Sequence, residues 1–186
     1  MSPETIQVWS RNIRNSDREA FRALFEAFYT PLYRYTVLLI RDNEVAYDVV
    51  QEVFTKLWEV RNTLDEGRSL KALLYQMTRN RALNHIRDHQ KKMTNWESVP
   101  EPMGDDELSI MNQIDTKVIQ EKLSGWIAEL PERRREVFML SRHDGLSHDE
   151  IATILNISPR TVNNHLGFAL TELRQKVLAM IGGPAL

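Results

Sequence analysis

The chain has 186 residues, no cysteine and a formal net charge of −2. That length supports one or two small cores, while the missing thiols exclude disulfides and any thiolate-held zinc site. With a pI near 6.2, contact with nucleic acid must be local or assisted by a partner rather than driven by bulk charge.

No apolar run is long enough to span a bilayer, and the N-terminus, with Glu4 and no apolar block, does not read as a signal peptide. A cytoplasmic protein without membrane insertion is expected. Phe21, Leu24, Phe25 and Phe28 recur at helical spacing. Thr30-Pro31 then reads as a break, with a fresh N-cap and first position before Leu32, Tyr35, Leu39 and Ile40. Asn43 opens the next expected helix. Val45, Val49, Val53 and Leu57 form one apolar row and Ala46, Val50, Phe54 and Trp58 the adjacent one, with the helix ending near Arg61. Asp48, Gln51, Glu52, Thr55 and Glu59 lie on its polar side, open to solvent or to a polar partner.

Polar residues 62–69 read as a loop. In the long helix that follows, Leu70, Leu73, Leu74, Met77, Ala82, Leu83 and Ile86 supply the apolar side. Arg79, Asn80, Arg81, Asn84, His85, Arg87, Lys91 and Lys92 are expected on the remaining surface. This positive surface suits phosphates, with Asn80 and Asn84 one turn apart for base edges. His85 and His89 stand at metal-binding spacing but lack a third ligand nearby.

Between Met93 and Thr116 the composition changes to six acidic residues, two prolines, a glycine and no Lys or Arg. This reads as a flexible acidic linker, which Trp96 can anchor at its start. The expected division is a first domain over 1–92, the linker over 93–116 and a second domain over 117–186. The second core builds from Val118, Leu123, Trp126, Ile127 and Leu130. A helix from Glu132 then places Val137, Phe138 and Leu140 inside and Arg133, Arg134, Arg135 and Arg142 outside, ending at Gly145.

Ser147 and Glu150 form a capping box before Ile151, Ala152, Ile154 and Leu155, and Asn156 supplies a left-handed end. Ser158 caps the next helix with Pro159 at its first position, and Val162, Leu166, Ala169, Leu170 and Leu173 form its stripe. That is a helix-turn-helix pattern. The outward residues Arg160, Thr161, Asn163, Asn164, Gly167 and Phe168 suit a major groove, since Asn matches an adenine edge and an apolar group meets a thymine methyl. Gly182, Gly183 and Pro184 stop the last helix near Ile181. No period-two alternation or hairpin turn appears, so the fold class is all-α.

Four separated motifs stand in order: Ala46-Tyr47-Asp48-Val49-Val50-Gln51-Glu52-Val53-Phe54 with Leu57-Trp58; Arg79-Asn80 with Ala82-Leu83 and Ile86-Arg87; Leu130-Pro131 with Arg134-Arg135-Glu136-Val137-Phe138; and the helix-turn-helix. Together they resemble the extracytoplasmic-function (ECF) group of the sigma-70 family over nearly the whole chain. The resemblance implies a region 2 domain and a region 4 domain, with core RNA polymerase (the β′ clamp helices and the β subunit) and promoter DNA as partners. It implies that Asp48, Gln51, Glu52 and Thr55 bind polymerase. Arg61, Asn62, Thr63, Asn80, Asn84 and Arg87 are implied to melt and hold the minus-10 element. Arg160, Thr161, Asn163, Asn164, Gly167 and Phe168 are implied to read the minus-35 element. Asn163, Asn164 and Gly167 depart from the Arg or Lys of many relatives. The linker is implied to thread a basic polymerase channel through Asp105, Asp106 and Glu107, and an anti-sigma factor is implied as an inhibitor.

A stand-alone helix-turn-helix regulator is the alternative expectation, binding symmetric sites tightly as a dimer. The basic helix and open acidic linker are not what a dimerising sensor requires. No enzyme, cofactor or metal is expected. His143-Asp144 is a lone dipeptide, and there is no Gly-rich phosphate loop or nucleophile motif.

Overall fold

The computed structural model describes residues 2–93 and 114–180. Every regular element among them is helical, and the chain divides into two compact units, Met1–Met103 and Gly104–Leu186. Trp96, the linker acids Glu97, Glu101, Asp105, Asp106 and Glu107, and the expected stop at Gly182, Gly183 and Pro184 lie outside the described residues. So does the side chain of Val118.

In the first unit, α1 (Pro3–Arg14) is followed by α2 (Arg18–Ile40), α3 (Asn43–Glu59), a 3-10 turn (Arg61–Thr63) and α4 (Leu70–Met93). Asp17 caps α2 and Asp42 caps α3, each accepting two backbone N–H groups through its carboxylate. This satisfies donors that a helix start otherwise leaves unpaired. The third helix thus begins at Asn43 with Asp42 as its cap.

The break expected at Thr30-Pro31 does not occur: α2 runs unbroken through Pro31. A proline there cannot donate to the carbonyl one turn back, at a cost of about 3 kcal/mol in a helix interior. Burial on both sides of it offsets that cost. Leu24 and Leu32 are wholly buried and Phe28 and Tyr35 nearly so on a helix that packs on α3 and α4, whose Val50, Val53, Leu57, Leu74 and Tyr75 are also buried; the Tyr35 and Tyr75 ring centroids lie 5.3 Å apart. Each such side chain contributes roughly 1.5–3 kcal/mol when fully buried. Thr36, also buried, gives its hydroxyl to the Leu32 carbonyl at 2.8 Å.

The second unit contains α5 (Ile114–Glu129), α6 (Glu132–Phe138), a π turn (Met139–His143), α7 (His148–Leu155) and α8 (Pro159–Met180). The first residues of α5 fall within the segment read as linker. Leu123, Trp126, Ile127 and Phe138 pack against Leu130, Ala169 and Leu173. The helix from Glu132 is therefore α-helical only to Phe138. Its π continuation, in which the Asp144 N–H reaches back five residues to the Met139 carbonyl at 3.0 Å, ends before Gly145 at φ 63°. Among the described residues, no helix is long and apolar enough to cross a membrane.

Candidate functional site

The helix-turn-helix is built by local hydrogen bonds. Ser147 Oγ accepts from the Glu150 N–H at 3.2 Å while the Glu150 carboxylate accepts from the Ser147 N–H at 2.8 Å. Asn156 ends α7 in the left-handed region at φ 54°, a conformation that Asn tolerates better than most residues. Ser158 Oγ then accepts from the Thr161 N–H at 3.1 Å and shares a hydrogen bond with the Thr161 hydroxyl at 2.8 Å. Thr161 is thus engaged at the start of α8.

Along α8, Val162, Leu166, Ala169 and Leu173 are buried, whereas Arg160, Asn163, Asn164, Gly167 and Phe168 are exposed. Leu170, expected in the buried stripe, is instead 38% exposed beside that surface. Phe168, at 58% exposure, is the most open large apolar side chain of the described residues. The Arg134 guanidinium lies 5.1 Å from its ring centroid and pairs with Glu172 at 3.3 Å, so one flank of the ring is supported by its own unit. A Cβ added at Gly167 meets nothing within 4 Å. The glycine is therefore not demanded by packing within the chain.

In the first unit, Asp48, Gln51, Glu52 and Thr55 are all exposed along α3. The Thr55 hydroxyl donates to the Gln51 carbonyl at 2.9 Å. Glu52 pairs with Arg81 of α4. The hydrogen bond from Arg81 holds the Glu52 carboxyl below its ordinary range, against the opposing effect of burial.

On α4, Asn80, Asn84 and Arg87 lie exposed within one stripe. Two expectations fail beside them. Arg79 is only 8% exposed and belongs to the interior, next to buried Tyr75 and Ala82 in the helical register. Leu83, expected inside, is 38% exposed between Asn80 and Arg87. Its place three residues after Asn80 and four before Arg87 was the available signal. His85 and His89 stack at 6.3 Å, and no third metal-ligating side chain joins them among the described residues.

Arg61, Asn62 and Thr63 form the 3-10 turn after α3. Asn62 and Thr63 are exposed, and the Thr63 hydroxyl donates to the Val60 carbonyl at 2.8 Å. Arg61 is turned onto its own domain. It donates to Ser16 Oγ at 2.9 Å and to the Trp58 carbonyl at 2.7 Å, with its guanidinium 4.5 Å from the Trp58 ring centroid. The loop beyond is fastened to α1 by Glu66, which pairs with Arg11 at 3.1 Å and Arg14 at 3.9 Å.

Two helical units, one carrying polar exposed stripes on α3 and α4 and the other a helix-turn-helix, have the surfaces that a DNA-binding protein uses. Residues 24–92 match the model for sigma-70 region 2 and residues 120–173 the model for sigma-70 region 4. The chain belongs to the sigma-70 family, in its ECF group. It is 29% identical over 154 residues to the ECF RNA polymerase sigma factor SigL of Mycobacterium tuberculosis, covering 82% of this chain and 86% of that one. To the ECF RNA polymerase sigma factor SigM of Bacillus subtilis it is 25% identical over 158 residues, covering 84% and 92%. The sigma factor RpoE of Bartonella quintana, solved with the anti-sigma factor NepR, shares the fold with a TM-score of 0.71 at 20% identity, covering 86% and 96%.

Proposed function

We propose that the chain is a cytoplasmic sigma factor that binds core RNA polymerase and directs it to promoters by reading minus-35 and minus-10 elements. The observation that carries this reading is the succession of region 2 and region 4 in one chain that aligns with curated ECF sigma factors over 82% and 84% of its length. The division of labour follows from the surfaces. Asp48, Gln51, Glu52 and Thr55 offer carboxylates and an amide to the β′ clamp helices. Asn163, Asn164 and Phe168 offer an adenine match and an apolar contact to the minus-35 major groove, while Arg160 offers phosphate contact.

Melting needs no covalent chemistry and no cofactor, and the protein acts as an initiation factor rather than an enzyme. Extracting a base from the stack costs a few kcal/mol, within reach of a positive surface with side chains that receive the base. Asn62, Thr63, Asn80 and Asn84 supply the polar side chains and Arg87 the positive charge, joined by Leu83. Arg61 supports it by holding the turn. A chain that borrows affinity from polymerase does not need a basic surface of its own, which accounts for the net charge of −2. An anti-sigma factor that covers the polymerase-binding and DNA-binding faces would hold the protein inactive.

The test is promoter-directed transcription with purified chain and core polymerase, alongside DNA binding by the chain alone. Specific initiation that requires both components is the expected result. Tight sequence-specific binding by the chain alone, without initiation, would replace this reading with the stand-alone regulator.

A further inference from the structure

The interface between α2 and α3 is an aromatic seam with two unlike ends. Phe21, Phe25, Tyr29 and Tyr33 stand at four-residue intervals on α2, which places them on one stripe. Phe21 lies 4.9 Å from Trp58 and Phe25 lies 4.8 Å from Phe54, centroid to centroid. Tyr29 meets Tyr47 edge-on at 6.4 Å, and Tyr33 lies 6.3 Å from Tyr29 with the rings 11° from parallel. At the Trp58 end the seam is closed by the chain's own cation, Arg61.

At the other end it opens into a shallow hollow of about 510 Å³ lined by Tyr29, Tyr33, Asn43, Glu44, Tyr47 and Asp48. Three rings and two carboxylates meet there, and none of the six lining residues is basic. Among the described residues, neither Glu44 nor Asp48 has an ion-pair partner. Tyr47 is 47% exposed although its ring is large and partly apolar. Burial, reinforced by Tyr47 and Tyr33, pushes the Tyr29 phenol above its ordinary range, so that ring stays neutral at physiological pH.

An aromatic face attracts a cation lying within about 6 Å of its centroid, and adjacent carboxylates add to that attraction. The same carboxylates repel phosphate, which argues against nucleic acid as the occupant.

We propose that this hollow receives a single arginine or lysine side chain of core RNA polymerase. The proposal rests on the assignment of the α3 polar face to polymerase. Asp48 belongs both to that face and to the hollow, so one docked protein covers both. The partner's cation completes the open end of the seam as Arg61 completes the closed one. Tyr47 and Glu44 thereby become binding residues beyond the four on the polar face.

The experiment measures affinity of the full-length chain for purified core polymerase by fluorescence anisotropy, for wild type, Tyr47→Phe, Tyr47→Leu, Tyr47→Ala and Glu44→Gln. Tyr47→Ala and Tyr47→Leu are expected to weaken binding by about five- to tenfold, with Tyr47→Phe within about twofold of wild type. Glu44→Gln is expected to weaken binding most at low salt. Equal thermal midpoints for all variants would assign these losses to the interface.

If wild type binds core while Tyr47→Leu and Tyr47→Ala bind equally well, the hollow is not a cation receptor although the polymerase assignment survives. If Tyr47→Leu binds like wild type and Tyr47→Ala does not, the contact is apolar and the proposal is overturned. A wild-type chain that does not bind core overturns the polymerase assignment and the proposal together.

Discussion

Glu52 on α3 and Arg81 on α4 are joined by a charge-assisted hydrogen bond. The helix proposed to face polymerase is thereby fastened to the helix proposed to hold promoter DNA. Both side chains are about half exposed, at 49% and 53%, so solvent screens the pair. A double-mutant cycle of Glu52→Gln and Arg81→Ala, followed by urea unfolding, is expected to give a coupling of about 0.5 kcal/mol. Because Arg81 lowers the Glu52 pKa in the folded state, the contribution is complete above the ordinary glutamate pKa. It is lost as pH falls through the depressed folded value. The stability gap between wild type and Glu52→Gln should therefore be constant near neutrality and close on acidification below the ordinary carboxylate range. A gap that persisted in acid would contradict this assignment.

The capping box at the head of α7 should be visible in stability. Ser147→Ala removes the acceptor for the Glu150 N–H and is expected to cost about 1 kcal/mol. Asn156→Gly keeps the left-handed end of α7 accessible and should be close to neutral. Asn156→Val forces a β-branched residue into that region and should lower the thermal midpoint clearly. The readout is thermal unfolding by circular dichroism.

Gly167 gives a prediction with the opposite sign. Since an added Cβ meets nothing within 4 Å, Gly167→Ala should stabilise α8 by about 0.5–1 kcal/mol through helix propensity alone. Gly167→Lys should add a phosphate contact and steepen the salt dependence of holoenzyme binding to minus-35 duplex by about one ion. A loss of stability in the alanine variant would mean that the glycine answers a constraint within the fold.

The two kinds of residue on α8 should separate in a promoter library. Asn163→Ala is expected to relax base preference at one minus-35 position, with a penalty of about 1–3 kcal/mol on the preferred sequence. Arg160→Ala should weaken all sequences alike and reduce the salt slope by about one. Both side chains are exposed, so the thermal midpoint should stay within about 0.5 kcal/mol equivalent of wild type.

Leu83 offers a test of melting. Leu83→Ala should reduce open-complex formation, read by permanganate reactivity of promoter thymines, and leave core polymerase affinity unchanged. Its 38% exposure makes a folding defect small. Unchanged opening would remove Leu83 from the DNA surface.

What could be foreseen from residues was mostly what local chemistry decides. Ser147, Glu150 and Asn156 announce both ends of α7 because a cap involves neighbours within a few residues. The rows of α3 announce themselves because helical period alone puts Val49, Val53 and Leu57 on one side. Pro31 misled because its local preference was overridden by burial against α3 and α4. Arg79 and Leu83 exchanged their expected places because a helix covered on part of its circumference buries by register rather than by residue type. The same holds for Leu170. Glu136 is only 2% exposed and pairs with Arg133 at 3.1 Å, and a charged run such as Glu132–Glu136 carries no sign of which member turns inward. The attachments of Arg61 to Ser16 and Trp58 were not legible either, since they depend on folding.

Pro31 also sets an order of events. Pro31 divides the 23 residues of α2 into stretches 18–30 and 32–40, neither longer than the roughly 12–15 residues below which an isolated helix is marginal in water. The segment therefore becomes one continuous rod only when α3 and α4 close over it, making local helix formation and tertiary docking a single step. Backbone amides on either side of the proline should then exchange with solvent together, at the rate at which the whole first unit opens, rather than unzipping from the helix ends.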